Sequence, residues 1–306
     1  MNAASPLRLP CALLLWLGLA FASAGQPMRG PILGPNPEFV DFDSPEAWAM
    51  KRFAGLVQPG SFGPGDPLSL GQLEGFFELS EVPFLDVEER RVGFGGSKVE
   101  DLNKAQLVVR PGLRVGLPAG FSLEASFIPP IEVYGLEATV FAARLAREVV
   151  SFRGLLLEAA AHYMYGEAEG SFTCAQSLID GGHDPFDCAP PSMDRNLWRM
   201  AGAEATLSYP FWDGRLAPFA SAAYSHLDSD FQVESVIFGG DAIDERTLKT
   251  SGEFWNFGLG LQYRPLDRLK VAIALRYAPL DVRREFRDLP EEDSLIQVRT
   301  QTTWRF

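Results

Sequence analysis

Glu158 and His162 stand four residues apart in a run that alternates apolar and polar residues, so both fall on one face of an extended segment with only Ala160 between them. A carboxylate beside an imidazole is the minimum equipment of a general base. Hydrolysis would need a further group on that face, and the sequence places no inward Ser, Asp or Cys beside the pair. A hydrogen-bonding network is therefore the first reading, with a hydrolase kept as an alternative. A second group, Asp180, Asp184 and Asp187, offers hard oxygens of the kind that bind Ca²⁺. Their spacing matches no established calcium loop, and Gly181, Gly182 and Pro185 give the stretch the chemistry of a solvated turn. No metal site and no cofactor are expected.

A larger set of charges shares the polar faces of the alternating segments. Parity places Glu74, Glu78, Glu124, Glu158 and Glu204 with Arg110, Arg114, Arg264, Lys270, Arg276, Arg299 and Arg305 on the inner side of a closed sheet. Two readings stand: a polarised pore whose basic wall attracts anions, or Arg–Glu pairs filling a barrel whose interior is about as wide as its side chains.

The segments carrying these charges are strands by period. In 253–264, Trp255, Phe257, Leu259, Leu261 and Tyr263 share one face against Asn256, Gly258, Gly260 and Gln262. The run 269–278 repeats the pattern. In 296–306, Ile296, Val298, Trp304 and Phe306 oppose Gln297, Arg299, Gln301 and Arg305, so polar residues occupy the face that a soluble sandwich would fill with Val and Leu. The stretches 68–80, 136–146, 197–209 and 216–227 alternate less cleanly. About ten strands result, with 8 to 12 as the range consistent with the pattern. Long and short connections alternate without a break, with short turns at 117–120, near Arg147, at 211–214 and at 265–268.

The chain has three further features. Residues 1–24 carry Arg8, an apolar run and Ala22-Ser23-Ala24, the pattern of a cleaved secretory signal. Residues 25–67 are rich in Pro and Gly and form an N-terminal arm or hatch; Ser44 as N-cap and Pro45 in the first turn predict a short helix through Phe53. Cys174 and Cys188 are the only cysteines after residue 24, and an exported protein with two cysteines predicts a disulfide. The net charge of −13 excludes a nucleic-acid partner, which would need clustered Lys and Arg.

With the signal at one end and alternation ending in Trp304 and Phe306 at the other, the chain resembles Gram-negative outer-membrane β-barrel proteins. The resemblance implies an antiparallel up-and-down transmembrane barrel over 68–306, integral to the outer membrane and in contact with its lipid. It also implies that the barrel-assembly machinery reads the last strand through Trp304 and Phe306. It names no activity, because such barrels serve many. The functional expectation is a channel or transporter for a small solute or hydrophobic ligand, with a structural or adhesive surface barrel of plugged lumen as the alternative.

Overall fold

The computed structural model describes residues 37–65, 68–181, 186–284 and 292–306; the segment 1–24 expected to be a cleaved signal lies outside them. Ten antiparallel strands form one closed sheet. They are β1 Leu73–Glu81, β2 Leu107–Gly116, β3 Phe121–Ile128, β4 Leu136–Phe152, β5 Leu155–Gly170, β6 Asp194–Ser208, β7 Leu216–Gln232, β8 Thr247–Leu266, β9 Leu269–Pro279 and β10 Ser294–Arg305. Each pairs with its neighbour in sequence, and β10 closes on β1 through Thr300↔Leu79 and Trp304↔Gly75. Closure removes the unpaired edges that an open sheet would present.

The turn expected near Arg147 lies instead at Arg153-Gly154. Both residues have left-handed φ, 50° and 85°, as a two-residue hairpin turn with the sheet's own twist requires. A register shift between Glu148 and Val150 leaves Val149 and Val150 both facing outward, and this break in alternation conceals the last part of β4.

The helix α1, Pro45–Val57, starts as the sequence predicts. The Ser44 hydroxyl accepts the Ala47 N–H at 3.2 Å, but the helix runs four residues beyond Phe53. Its entry fixes the path of the arm. Glu38–Phe39 pairs in parallel with Leu248–Lys249 at the start of β8, and Asp43 meets Arg283, both at the end with the long connections. Gly71 and Gln72 pair with Gly116 beside the short β2–β3 turn at the opposite end. The arm thus enters under the long connections, descends the lumen and only then begins β1.

The interior has two zones stacked along the barrel axis. Toward the long connections, α1 buries Trp48, Met50 and Ala54 against the inward residues Val140, Met164, Trp198, Leu227 and Phe254. Toward the short turns, inward positions are charged or hydroxylated, including Glu204, Thr206 and Ser208 on β6. The outer face inverts in step. On β5, Leu157, Ala159, Ala161 and Tyr163 give way to Glu167 and Glu169, while the inward face passes from Glu158 and His162 to Met164 and Ala168. Such strands carry two opposite patterns end to end, which is why 197–209 and 216–227 alternate less cleanly than 253–264.

Long connections of membrane barrels face the exterior, so Glu38 and Phe39 belong on the outer side of the membrane. Phe39 is 79% exposed. A Phe39→Cys variant should react with a membrane-impermeant thiol reagent on intact cells; labelling only after the outer membrane is permeabilised would reverse the path of the arm.

Candidate functional site

The lower lumen gathers the charges that parity assigned inward. Glu78 binds Arg110 and lies 3.5 Å from Arg299. Glu74 meets Arg114 at 3.4 Å, Lys270 at 3.1 Å and Arg305 at 2.8 Å, and Glu124 takes the other arm of Arg114 at 3.1 Å. Glu204 lies 3.5 Å from Arg276. Glu158 and Glu204 are bridged by Arg144, which the sequence reading did not single out. Arg144 stands on β4 between Ala142 and Ala146, and the alternation there is blurred because Ala142, Ala143 and Ala146 put small residues on both faces. Arg264 lies half-buried near the short-turn end of β8.

These cations exceed the carboxylates they meet, and the arm takes up the difference with its backbone. An α-helix leaves its last carbonyls without intrahelical donors, and these carry the negative end of the helix dipole. The last turn of α1 has no basic residue of its own. The barrel wall supplies them. Arg299 donates to the carbonyls of Gly55 at 2.9 Å, Leu56 at 3.1 Å and Gln58 at 2.6 Å, and Arg110 donates to Val57 O at 2.9 Å. Further down, Arg276 donates to Ser61 O at 2.8 Å, while the Ser61 N–H donates to Glu204 Oε1 at 3.0 Å. Gly60 permits this approach: a Cβ there would lie 2.0 Å from the Arg276 guanidinium.

Glu158 and His162 both face inward but do different things. The carboxylate of Glu158 is held by Arg144, whereas His162 Nε2 lies 3.0 Å from Ser225 Oγ. Ser225 corrects the expectation that no inward Ser stands beside the pair; it comes from β7, two strands away, and only the register reveals it. It also accepts the Gln58 amide at 2.8 Å, so the arm covers it. Among the described residues no carboxylate hydrogen-bonds the second imidazole nitrogen to orient the ring, as in the usual arrangement for nucleophilic catalysis by a Ser–His pair. His162, Ser225 and Gln58 tie the arm to the wall.

Above α1 the long connections form a cap. Cys174 and Cys188 are bonded, with Cα atoms 5.9 Å apart, and pack on Ile237 and Ala242 of the hairpin Ser235–Ile237 and Ala242–Asp244. Phe94 of the hairpin Arg91–Gly93 and Lys98–Val99 stacks on Phe186 at 4.4 Å under the Arg246 guanidinium. Asp180 and Asp187 flank the cap loop, and Asp184 lies outside the described residues. Burial pushes the Glu100 carboxyl up from 4.5 to about 7, against the pull of Lys98 and with added repulsion from Asp194, Glu46 and Asp244.

The exterior identifies the surroundings of the barrel. Around the waist, Leu259, Leu261, Val271, Ile273, Leu275 and Val298 are exposed side by side. Aromatic rings border this band: Tyr224, Trp255, Phe257 and Tyr277 in a chain of ring contacts at one rim, and Tyr209, Trp212, Tyr263, Trp304 and Phe306 at the other. An apolar band between aromatic girdles on a closed sheet is the surface that a bilayer demands. This is a transmembrane barrel of the outer-membrane kind. No family model and no curated protein matches its sequence. Among solved structures, it is similar to the outer membrane protease OmpT from Escherichia coli, at 10% identity over 77% of this chain and 94% of that one, with a TM-score of 0.39. It is also similar to Ail, the attachment invasion locus protein of Yersinia pestis, at 10% identity over 78% and 100%, TM-score 0.32. Neisserial surface protein A matches at 9% identity over 76% and 97%, TM-score 0.31. Nothing about the activity of this barrel follows from likenesses of that size.

Removing Arg299 takes the side-chain donor from the Gln58 carbonyl, one donor each from the carbonyls of Gly55 and Leu56, and one of the two guanidinium partners of Glu78 inside a closed lumen. Arg299→Met should lower stability by about 3–5 kcal/mol, the range for breaking a buried pair, read as the denaturant midpoint of the heat-modifiable barrel; an unchanged midpoint would show that the arm is not held there. A separate test concerns Glu100, which is protonated in the folded cap and ionised in the unfolded chain between pH 4.5 and about 7. The stability it contributes is therefore lost as pH rises through that window. The cap should melt at a lower temperature near about pH 8 than near about pH 5, and Glu100→Gln should reduce the difference.

Proposed function

We propose that this protein is a sealed surface barrel, which holds its own N-terminal arm in the lumen and presents a cross-linked cap to the exterior. The observation that carries this reading is the run of wall-to-backbone hydrogen bonds from Arg299, Arg110 and Arg276 to the carbonyls of residues 55–58 and 61. A solute path down the axis would have to displace this segment, exposing buried charges on both sides of it. The lumen-facing cations are occupied by carboxylates and carbonyls, so they offer no free wall to a passing anion. Function then resides in the outer cap, as in a structural or adhesive barrel, more than in passage through the pore.

Conductance in planar bilayers tests the proposal. The refolded wild-type protein should show no sustained channel, and a variant combining Arg110→Ala, Arg276→Ala and Arg299→Ala should flicker open as the arm loosens. Steady wild-type conductance would overturn the sealed reading and restore solute passage as the leading function.

A further inference from the structure

The barrel wall is incomplete at one place. The β2–β3 ladder runs only from Gly112↔Ser126 to Gly116↔Ser122, whereas residues 107–111 of β2 pair with β1 alone. On the other side of this gap, Phe127 and Ile128 pair only with β4 before Pro129-Pro130 ends the strand. Proline has no N–H for a ladder, and Pro111 and Pro129 stand on the two sides where pairing stops. The wall between the upper parts of β2 and β3 is thus held by side chains and not by a continuous ladder.

A cavity of about 290 Å³ occupies this gap. Its outer lining includes Leu107 and Val109 on the outer face of β2 and Ile131 and Val133 in the connection after β3, all exposed, and its inner lining includes Val57 of the arm and the buried Trp198. The cavity therefore leads through the wall from the apolar exterior to the core around α1. Lys104 is the one charged residue on its lining, and its ammonium is engaged by Asp101 at 3.2 Å and Ser171 at 3.3 Å. No ionic group is left to receive a carboxylate inside.

We propose that this gap is a lateral binding site for an acyl chain of an intact membrane lipid, with the head group remaining outside. The mouth opens among side chains that already face the hydrocarbon, so lipid chains are the apolar groups present there. The volume is about twice that of a 150 Å³ apolar cavity that holds benzene, which gives space for on the order of ten chain carbons. The lining offers an inserted carboxylate no free cation, and this favours a chain of an intact lipid over a free fatty acid.

Bromine on lipid acyl chains quenches tryptophan fluorescence only at short range, and Trp198 lies at the inner end of the site. In a protein carrying Trp48→Phe, Trp212→Phe, Trp255→Phe and Trp304→Phe, Trp198 is the sole tryptophan after residue 24. A control protein keeps Trp48, which is buried on α1 and does not line the cavity, and carries Trp198→Phe instead. Both are refolded into vesicles of phosphatidylcholine brominated along its chains. The lipid should remove most of the Trp198 emission and little of the Trp48 emission. Ala138→Phe, which fills the site from β4, should restore the Trp198 signal; Ala105→Phe, from the other side of the gap, serves where Ala138→Phe does not give a heat-modifiable barrel. Trp198 as well shielded as Trp48, or quenching that neither substitution relieves, would overturn the site. Quenching by brominated free fatty acid in unbrominated vesicles, without quenching by the phospholipid, would overturn the lipid as its occupant. These outcomes are independent of conductance, which reads the axial seal.

Discussion

The structure depends on one electrostatic constraint: a barrel too narrow to hold bulk water must give every inward charge a partner. Carboxylates alone do not meet this need, because the inward Arg and Lys side chains outnumber the Glu residues they touch. The deficit is met by the carbonyl groups at the C-terminal end of α1, which need donors in turn. Arg299, wholly buried and in contact with three of those carbonyls, is where the two requirements cancel. Removing the arm would strand the arginines, and removing the arginines would strand the end of the helix. Neither part is stable in the lumen without the other.

A second constraint comes from the two surroundings each long strand crosses. Within the bilayer the outer face must be apolar and the inner face can be polar; beyond it the outer face meets water and the inner face can hold a hydrophobic core. Strand β7 passes from outward Tyr224 to outward Asp228 and Asp230, while its inward side passes from Ser221 and Ser225 to Leu227 and Phe231. The upper half of the barrel is in effect a water-soluble barrel with α1 as its core, continuous with a membrane barrel below. The disulfide and the stacked rings of Phe94 and Phe186 tie together the connections above that upper half.

Alternation made the strand number, the closed antiparallel sheet and the inward residues of the last three strands legible, because residues 255–264 of β8 together with β9 and most of β10 lie within one surrounding and keep one polarity. The same rule failed where polarity reverses within a strand or where small residues fill both faces, and it therefore missed Arg144. Ser225 was invisible for another reason: its nearness to His162 depends on the register across β6, and no local pattern encodes register between strands that are not adjacent in sequence. The helix start at Ser44 and Pro45 was readable from local chemistry, but the end of the barrel at which it enters was not. That is set by long-range pairing of Glu38 and Phe39 with β8.

The central claim is that residues 45–61 are lodged in the lumen and not merely attached near its mouth. Amide hydrogen exchange on the protein in lipid nanodiscs tests this most directly, since Ser61 N–H is buried on Glu204 and the helical amides of α1 are enclosed by the sheet. The account predicts that amides from Trp48 to Ser61 exchange as slowly as those of the barrel strands. Exchange of this segment at the rate of an exposed peptide, with the strands still protected, would contradict it.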